Sequence, residues 1–304
     1  MRTLPLVLAV AAVAAAAAAR PALADADSLV EDQGARELAL GGSMRASSTG
    51  ALATTLNPAG LPLSHDLVFE GAYGYRGADS ESMLHLAACD STGEAPGCFY
   101  YHYLTASPNV DGMDEHRHSH TFGFTMSREV VPHILIGAAA KYFSYHSELM
   151  GESDASGFNW DLGTTVRLNE YLNLGVVGYN LWGKESTQFP RAVGAGATAR
   201  PFQALTLAFD ALFNLDATGK SGRYGGGAEY FLSTDNGQMG YPLRIGAVHD
   251  VGLGGTYLSG GLGVASLKLG FDVGARKEVS GGNELVVTAS LRFFGPRGGG
   301  AEPL

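Results

Sequence analysis

The stretch "DGMDEHRHSH", Asp111 to His120, is the densest run of potential metal ligands in the chain. His116, His118 and His120 alternate, so on a strand their imidazoles share one face, with Asp114 and Glu115 nearby. That spacing can hold zinc or nickel. The competing reading is a solvated outer loop that enters a strand and meets lipopolysaccharide or its divalent cations. A second set of charged residues is spread over the C-terminal half: Asp210, Arg223, Glu229, Arg244, Asp250, Lys268, Asp272, Arg276, Glu284 and Arg292. Most occupy alternate positions opposite apolar neighbours, which predicts one inward-facing network of mixed sign. Such a network either fills an interior or filters ions. Cys89 and Cys98, the only two cysteines, flank "CDSTGEAPGC", where a disulfide closing the loop is expected in an oxidising compartment. The remaining histidines have no accompanying serine motif such as GxSxG, and "GRYGGGAEY" lacks the lysine and helix of a phosphate loop. Nothing points to catalysis or to a cofactor.

Strands must position these groups. "QALTLAFDALFNL" sets Leu205, Leu207, Phe209, Ala211, Phe213 and Leu215 against Thr206, Ala208, Asp210 and Asn214; "SLKLGFDVGAR" and "ELVVTASLRFF" alternate in the same way. Twelve such segments are predicted, near 65–76, 119–129, 133–147, 156–168, 171–183, 191–201, 203–215, 222–234, 241–251, 255–265, 266–276 and 284–294. They exceed the ~5–6 residues of ordinary strands and match the ~9–11 that cross a bilayer at a tilt. Residues 77–119 resist assignment, because "SMLHLAA" and "FYYHYLT" could add two more strands. Tight connections alternate with longer polar ones, as in outer-membrane barrels. Tyr142, Phe143, Tyr145, Trp182, Phe293 and Phe294 lie near strand ends, where aromatic girdles are expected.

Composition agrees. The 304-residue chain is 45% hydrophobic and only 16% charged, with 43 glycines and 13 tyrosines. Met1-Arg2, the apolar run Leu4 to Ala19, and Ala22 and Ala24 before Asp25 read as a cleavable secretory signal. The formal charge is −10, and loss of Arg2 and Arg20 with the signal leaves −12, which gives no basic patch for nucleic acid. The expected organisation is a signal peptide over 1–24, an N-terminal hatch over 25–63, a barrel over 64–294 and a tail over 295–304. In the hatch, "STGALATTLNPAGL" fits a short helix capped by Ser48 or Thr49, ended by Pro58, with Gly60 allowing reversal.

"GARELALGGSMRASSTGALATTLNPAGL", Gly34 to Leu61, resembles the N-terminal signature of the long-chain fatty acid outer-membrane transporters, the FadL/TodX family, and of shorter PorV-like relatives. "YPLRIGAVHDVGLGGTYLSGGLGVASLKLGFDVGAR" is similar to their late hairpins. The resemblance implies an all-β transmembrane antiparallel barrel of 12–14 strands with a small helical hatch. It also implies passive uptake of hydrophobic, fatty-acid-like compounds through a lateral path, with the hatch role falling to Asn57, Pro58, Ala59 and Gly60. The implied partners are outer-membrane lipid, lipopolysaccharide and hydrophobic small molecules. The chain departs from the family in its shorter outer loops, so ligand capture by those loops does not carry over. An adaptor or shuttle for exported proteins and a small polar porin are the alternative functions. Because the last strand is expected to end on Phe293 or Phe294, deleting 295–304 should leave assembly intact, checked by heat-modifiable migration on a gel.

Overall fold

Alternating sequences of this kind can bury one face when the sheet closes on itself. In the computed structural model, which describes residues 34–110, 113–149, 152–186, 188–217, 221–234, 239–280 and 282–295, it does so. Fourteen antiparallel strands close a barrel: β1 (Leu67–Arg76), β2 (Glu81–Asp90), β3 (Gly97–Ala106), β6 (Arg117–Val131), β7 (Ile134–Ser147), β8 (Ala155–Asn169), β9 (Leu172–Gly183), β10 (Ala192–Phe202), β11 (Leu205–Asn214), β12 (Arg223–Thr234), β13 (Met239–Asp250), β14 (Gly255–Ser266), β15 (Leu269–Ser280) and β16 (Leu285–Phe294). A two-residue hairpin, β4 (Asn109–Val110) with β5 (Met113–Asp114), lies between β3 and β6. The barrel closes where β1 pairs with β16, from Val68 opposite Phe294 to Arg76 opposite Val286.

All twelve expected strands are present, and the unassigned segment supplies β2 and β3, which makes fourteen. Connections at the lower end, where β1 begins and β16 finishes, are mostly two residues long, as at 132–133, 170–171, 203–204 and 267–268. Those at the upper end are longer, as at 148–154, 184–191 and 215–222. The turn expected at Ala265-Ser266 falls two residues later, because Ser266 Oγ accepts from Leu269 N–H at 3.0 Å and closes the turn there.

The outward faces are apolar and bare. Phe99 is 67% exposed and Ile245 69% exposed, and Trp160 and Trp182, paired across β8 and β9, are both exposed. An apolar band this extensive around a closed barrel is the surface of a membrane-spanning sheet. No helix among the described residues is long and apolar enough to cross a membrane. Two expected girdle residues face inward instead: Phe143 and Tyr145 are almost fully buried, on the inner face of β7.

The Cys89–Cys98 disulfide is formed, joining ladder-paired positions at the lower ends of β2 and β3. The cysteines therefore belong to strands, and the loop between them is the hairpin turn 91–96. The signal segment, residues 1–24, lies outside the described residues, as does the tail beyond Gly295, whose N–H donates to Leu67 O at 2.7 Å. A Cys89→Ser, Cys98→Ser variant should still assemble and migrate heat-modifiably. Its urea midpoint should fall, since a short closed loop is worth about 2–3 kcal/mol in chain entropy.

Candidate functional site: a hatch wired into the barrel wall

Inside the barrel, residues from Gly34 onward form a compact insert with little regular structure. Helix α1 (Ala35–Ala39) is one turn long, and Glu37 Oε1 accepts from Gly34 N–H at 3.2 Å to hold its start. Helix α2 (Leu52–Thr55) begins from Ala51, so neither Ser48 nor Thr49 caps it. Ser48 Oγ instead donates to Asn57 O at 2.9 Å, tying the two arms of the loop together. A 3-10 helix (Pro58–Leu63) follows, with Asn57 as its cap: Asn57 is extended, and its Oδ1 accepts from Ala59 N–H at 3.1 Å. Pro58 thus starts a helical turn as well as ending one, which suits its missing N–H. Gly60 serves close packing rather than chain reversal, since a Cβ there would lie 1.8 Å from Ser48 O.

Insert backbone that makes no helix or sheet still needs hydrogen-bond partners, and the barrel wall provides them. Asn57, fully buried, shares its amide hydrogens among Arg45 O (2.9 Å), Thr165 Oγ1 (3.1 Å) and Thr164 O (3.2 Å). Asp210 on β11 accepts from Arg45 N–H at 2.9 Å and from its guanidinium at 3.1 Å. Tyr179 on β9 accepts from Arg45 Nε at 2.9 Å and donates to Leu56 O at 2.5 Å. Asn173 donates to Ser47 Oγ, and Ser259 to Ala39 O, each at 3.0 Å. Asn57, Pro58, Ala59 and Gly60, singled out in the sequence, are all buried at this contact with the wall.

The inward charge network exists and is completed by hatch residues that the strand pattern did not reveal. Arg36 of α1 grips Glu229 with both ends of its fork, at 2.7 and 2.9 Å. Glu229 also accepts from Arg244 at 2.6 Å, Arg244 donates to Asp272 at 2.6 Å, and Asp272 pairs with Arg292. Burial alone would lower the Arg36 pKa, but the Glu229 carboxylate outweighs it and holds the guanidinium above its ordinary value. Arg276 pairs with Glu284 at 3.3 Å nearer the upper end, and Arg223 stands opposite Asp250 in the ladder. Lys268 does not join: it lies exposed in the lower turn between β14 and β15. At the upper rim Arg76, Asp79, Glu81 and Arg117 form a further buried cluster. Burial pushes the Asp79 carboxyl up, but the hydrogen bond and charge of Arg76, with Arg117 behind it, leave it below the usual range.

Glycines let the wall come this close. At Gly163 a Cβ would sit 2.0 Å from Asn57 Oδ1, and at Gly225 it would sit 1.9 Å from Gly41 O. Above the hatch part of the interior is apolar: Leu38 of α1, Met83, Leu104, Phe143, Tyr145 and Val286 form one cluster with Phe189. Phe189 belongs to the 184–191 connection, which folds inward so that its ring lies 4.4 Å from that of Phe143. His85 is buried on the inner face of β2, and among the described residues its ring nitrogens have no hydrogen-bond partner. The His116, His118 and His120 row does face one way, outward at the upper end, but strand β6 starts only at Arg117.

A fourteen-stranded barrel with a bare apolar outer band, whose interior is stopped by a hydrogen-bonded N-terminal insert, defines a class: plugged membrane β-barrels. Comparison with solved structures gives the particular fold. The chain has 13% identity to the CymD monoaromatic hydrocarbon channel, with a TM-score of 0.63 over 88% of this chain and 98% of that one. It has 12% identity to the Pseudomonas putida toluene transporter TodX (TM-score 0.63, 87% and 98%) and 10% to a Pseudomonas aeruginosa FadL homologue (TM-score 0.62, 86% and 98%). No family model and no curated sequence matches the chain. The fold is thus of the FadL/TodX type, as the Gly34–Leu61 resemblance implied.

The wiring has a direct consequence. Gly163→Val or Asp210→Ala should loosen the hatch without breaking the barrel. The measurements are trypsin cleavage at Arg45, expected to speed up, and single-channel conductance, expected to rise above the wild-type level, with heat-modifiable migration unchanged.

Proposed function

We propose that the protein is an outer-membrane channel for passive uptake of hydrophobic small molecules, with both chain ends and the short turns on the periplasmic side. The observation that carries this reading is the interior. The buried hatch stops it, and above the hatch Leu38, Met83, Leu104, Phe143 and Val286 pack with Phe189 into an apolar cluster. An aqueous pore for ions needs a continuous polar lining, whereas an apolar ligand gains free energy among side chains of this kind. CymD and TodX, which this fold resembles, are described as a monoaromatic hydrocarbon channel and a toluene transporter. That supports hydrophobic cargo and makes an aromatic hydrocarbon as reasonable a ligand as a fatty acid.

The lateral path is assigned to the β8–β9 seam. There the ladder breaks most widely: Trp160 pairs with Trp182 and Leu162 with Gly178, so Tyr179, Asn180 and Leu181 face the single residue Asp161. Asp161 holds the break by accepting from Asn180 N–H at 2.7 Å and from Lys141 at 2.7 Å. Asn180 takes a left-handed φ of 52°, and Leu181 lies against Gly178. Tyr179, at the edge of the break, is the residue bonded to both Arg45 and Leu56 of the hatch. Hatch movement is therefore coupled to this seam. The break re-aims backbone in the way bulges do at functional rims.

Uptake of labelled long-chain fatty acid and of toluene by transporter-deficient cells tests both parts. An Asn57→Ala, Pro58→Ala variant should change uptake of at least one ligand, and Leu181→Trp should reduce it severalfold at matched membrane levels. Unchanged uptake in both variants would sink the hatch-and-seam reading. No uptake by the assembled wild type would favour an adaptor for exported proteins.

A further inference from the structure

The outward face at the upper ends of β6 and β7 carries donor groups that the transport reading leaves unused. His118 stands directly opposite His146 in the ladder, with ring centroids 5.2 Å apart, and the centroid of His120 is 5.6 Å from that of His118. The two flanking rings are each fixed through Nδ1: His146 by the Asp154 carboxylate at 2.8 Å, His120 by Tyr101 Oη at 2.8 Å. Nε2 of each ring is left to meet a further partner.

An imidazole bound to zinc at ~2.0–2.1 Å places its centroid about 3.2 Å from the ion, so two ligating rings at a tetrahedral angle lie about 5.3 Å apart. Both centroid spacings fall near that value. Backing by a carboxylate or another hydrogen-bonding group is the outer-shell arrangement that orients ligating histidines. Glu148 and Asp154 make the patch acidic, while Arg117 in the same stretch turns inward to Asp79. That charge favours a cation over the phosphates of a lipid headgroup. The two cysteines, bound to each other, do not compete for a metal.

We propose that His118, His120 and His146 form a surface site for a transition-metal dication that prefers imidazole, such as Zn²⁺ or Ni²⁺, with Asp154 and Tyr101 as orienting residues. The site exchanges one member of the sequence-derived trio. His116 precedes the strand, whereas His146 comes from the neighbouring strand directly opposite His118. Among the described residues no three donor side chains are already set around one point. Binding therefore turns the His118 ring about its side-chain torsions, while Tyr101 and Asp154 hold its two neighbours.

Calorimetric titration of the untagged, detergent-solubilised protein with Ni²⁺ and with Zn²⁺ tests the site. One saturable equivalent is expected near neutral pH, weakened roughly tenfold or more by His118→Ala or His146→Ala and less by Asp154→Asn. His249→Ala, elsewhere on the outer face, should leave it unchanged. Saturable binding retained in a His118→Ala, His146→Ala double variant that still migrates heat-modifiably would overturn the proposal. So would the absence of binding, or binding of lipopolysaccharide instead of metal through the same residues.

Discussion

The Asp210 carboxylate inside the barrel is the contact on which the rest of the interior depends. It lies deep in the wall and receives both the main-chain and side-chain N–H groups of Arg45. A buried carboxylate without such partners costs several kcal/mol, and so does a buried guanidinium. Each therefore requires the other in place. A chain segment with so little helix has many main-chain groups to satisfy, and inside a closed barrel no sheet edge is available to it. Side chains of the wall meet that need one group at a time: Asp210 accepts from Arg45 N–H, Tyr179 donates to Leu56 O and Ser259 to Ala39 O, while Thr165 and Asn173 bond the side chains of Asn57 and Ser47. Hatch and wall are in this sense one polar network.

That network demands proximity, and proximity explains the glycines. A wall of ordinary side chains would hold the insert a side chain's length away, beyond reach of hydrogen bonds from the strand backbone. With Gly163 beneath Asn57, Thr164 O comes within 3.2 Å of the Asn57 amide. Gly225 and Gly246 do the same beneath Gly41. Part of the glycine content that marked the sequence as unusual thus has a local purpose, where the hatch touches the wall.

What the sequence reveals follows from which face of each strand meets water-like or polar surroundings. Strands β11, β15 and β16 face the hatch and the charge network with Asp210, Asp272, Thr288 and Arg292, so their two faces differ and the alternation is plain. Strands β2 and β3 face the apolar interior with Met83, Ala87, Tyr100 and Leu104 while presenting Leu86 and Phe99 outward. Large apolar residues then stand on both faces, with Glu81, His85 and His102 among them on the inner one, and the period-two signal is blurred. The same cause led Phe143 and Tyr145 to read as girdle residues. Arg36 and Arg45 were hidden for another reason: the hatch has no period, so nothing local marks which of its side chains meet the wall. Likewise His146, on a neighbouring strand, joins His118 only through the ladder register, which no local pattern states.

The two sides of the hatch are held unequally, and this decides which can yield. Helix α1 packs against β13–β16 and is anchored by the two-pronged Arg36–Glu229 pair, itself part of the chain through Arg244 and Asp272 to Arg292. The 3-10 helix packs on the other side, against β6–β8, and Asn57 there makes only neutral hydrogen bonds to the wall. Charge-assisted bonds are about twice as strong as neutral ones, and removing one partner of a buried ion pair leaves an uncompensated charge. Under the channel reading proposed above, the Asn57 side is therefore the one to yield and α1 the pivot. Leu56, bonded to Tyr179, links that side to the β8–β9 break, the widest irregularity in the wall. The bonds that α1 makes to the wall are thus charged and those of Asn57 neutral, and the asymmetry is built into the contacts themselves.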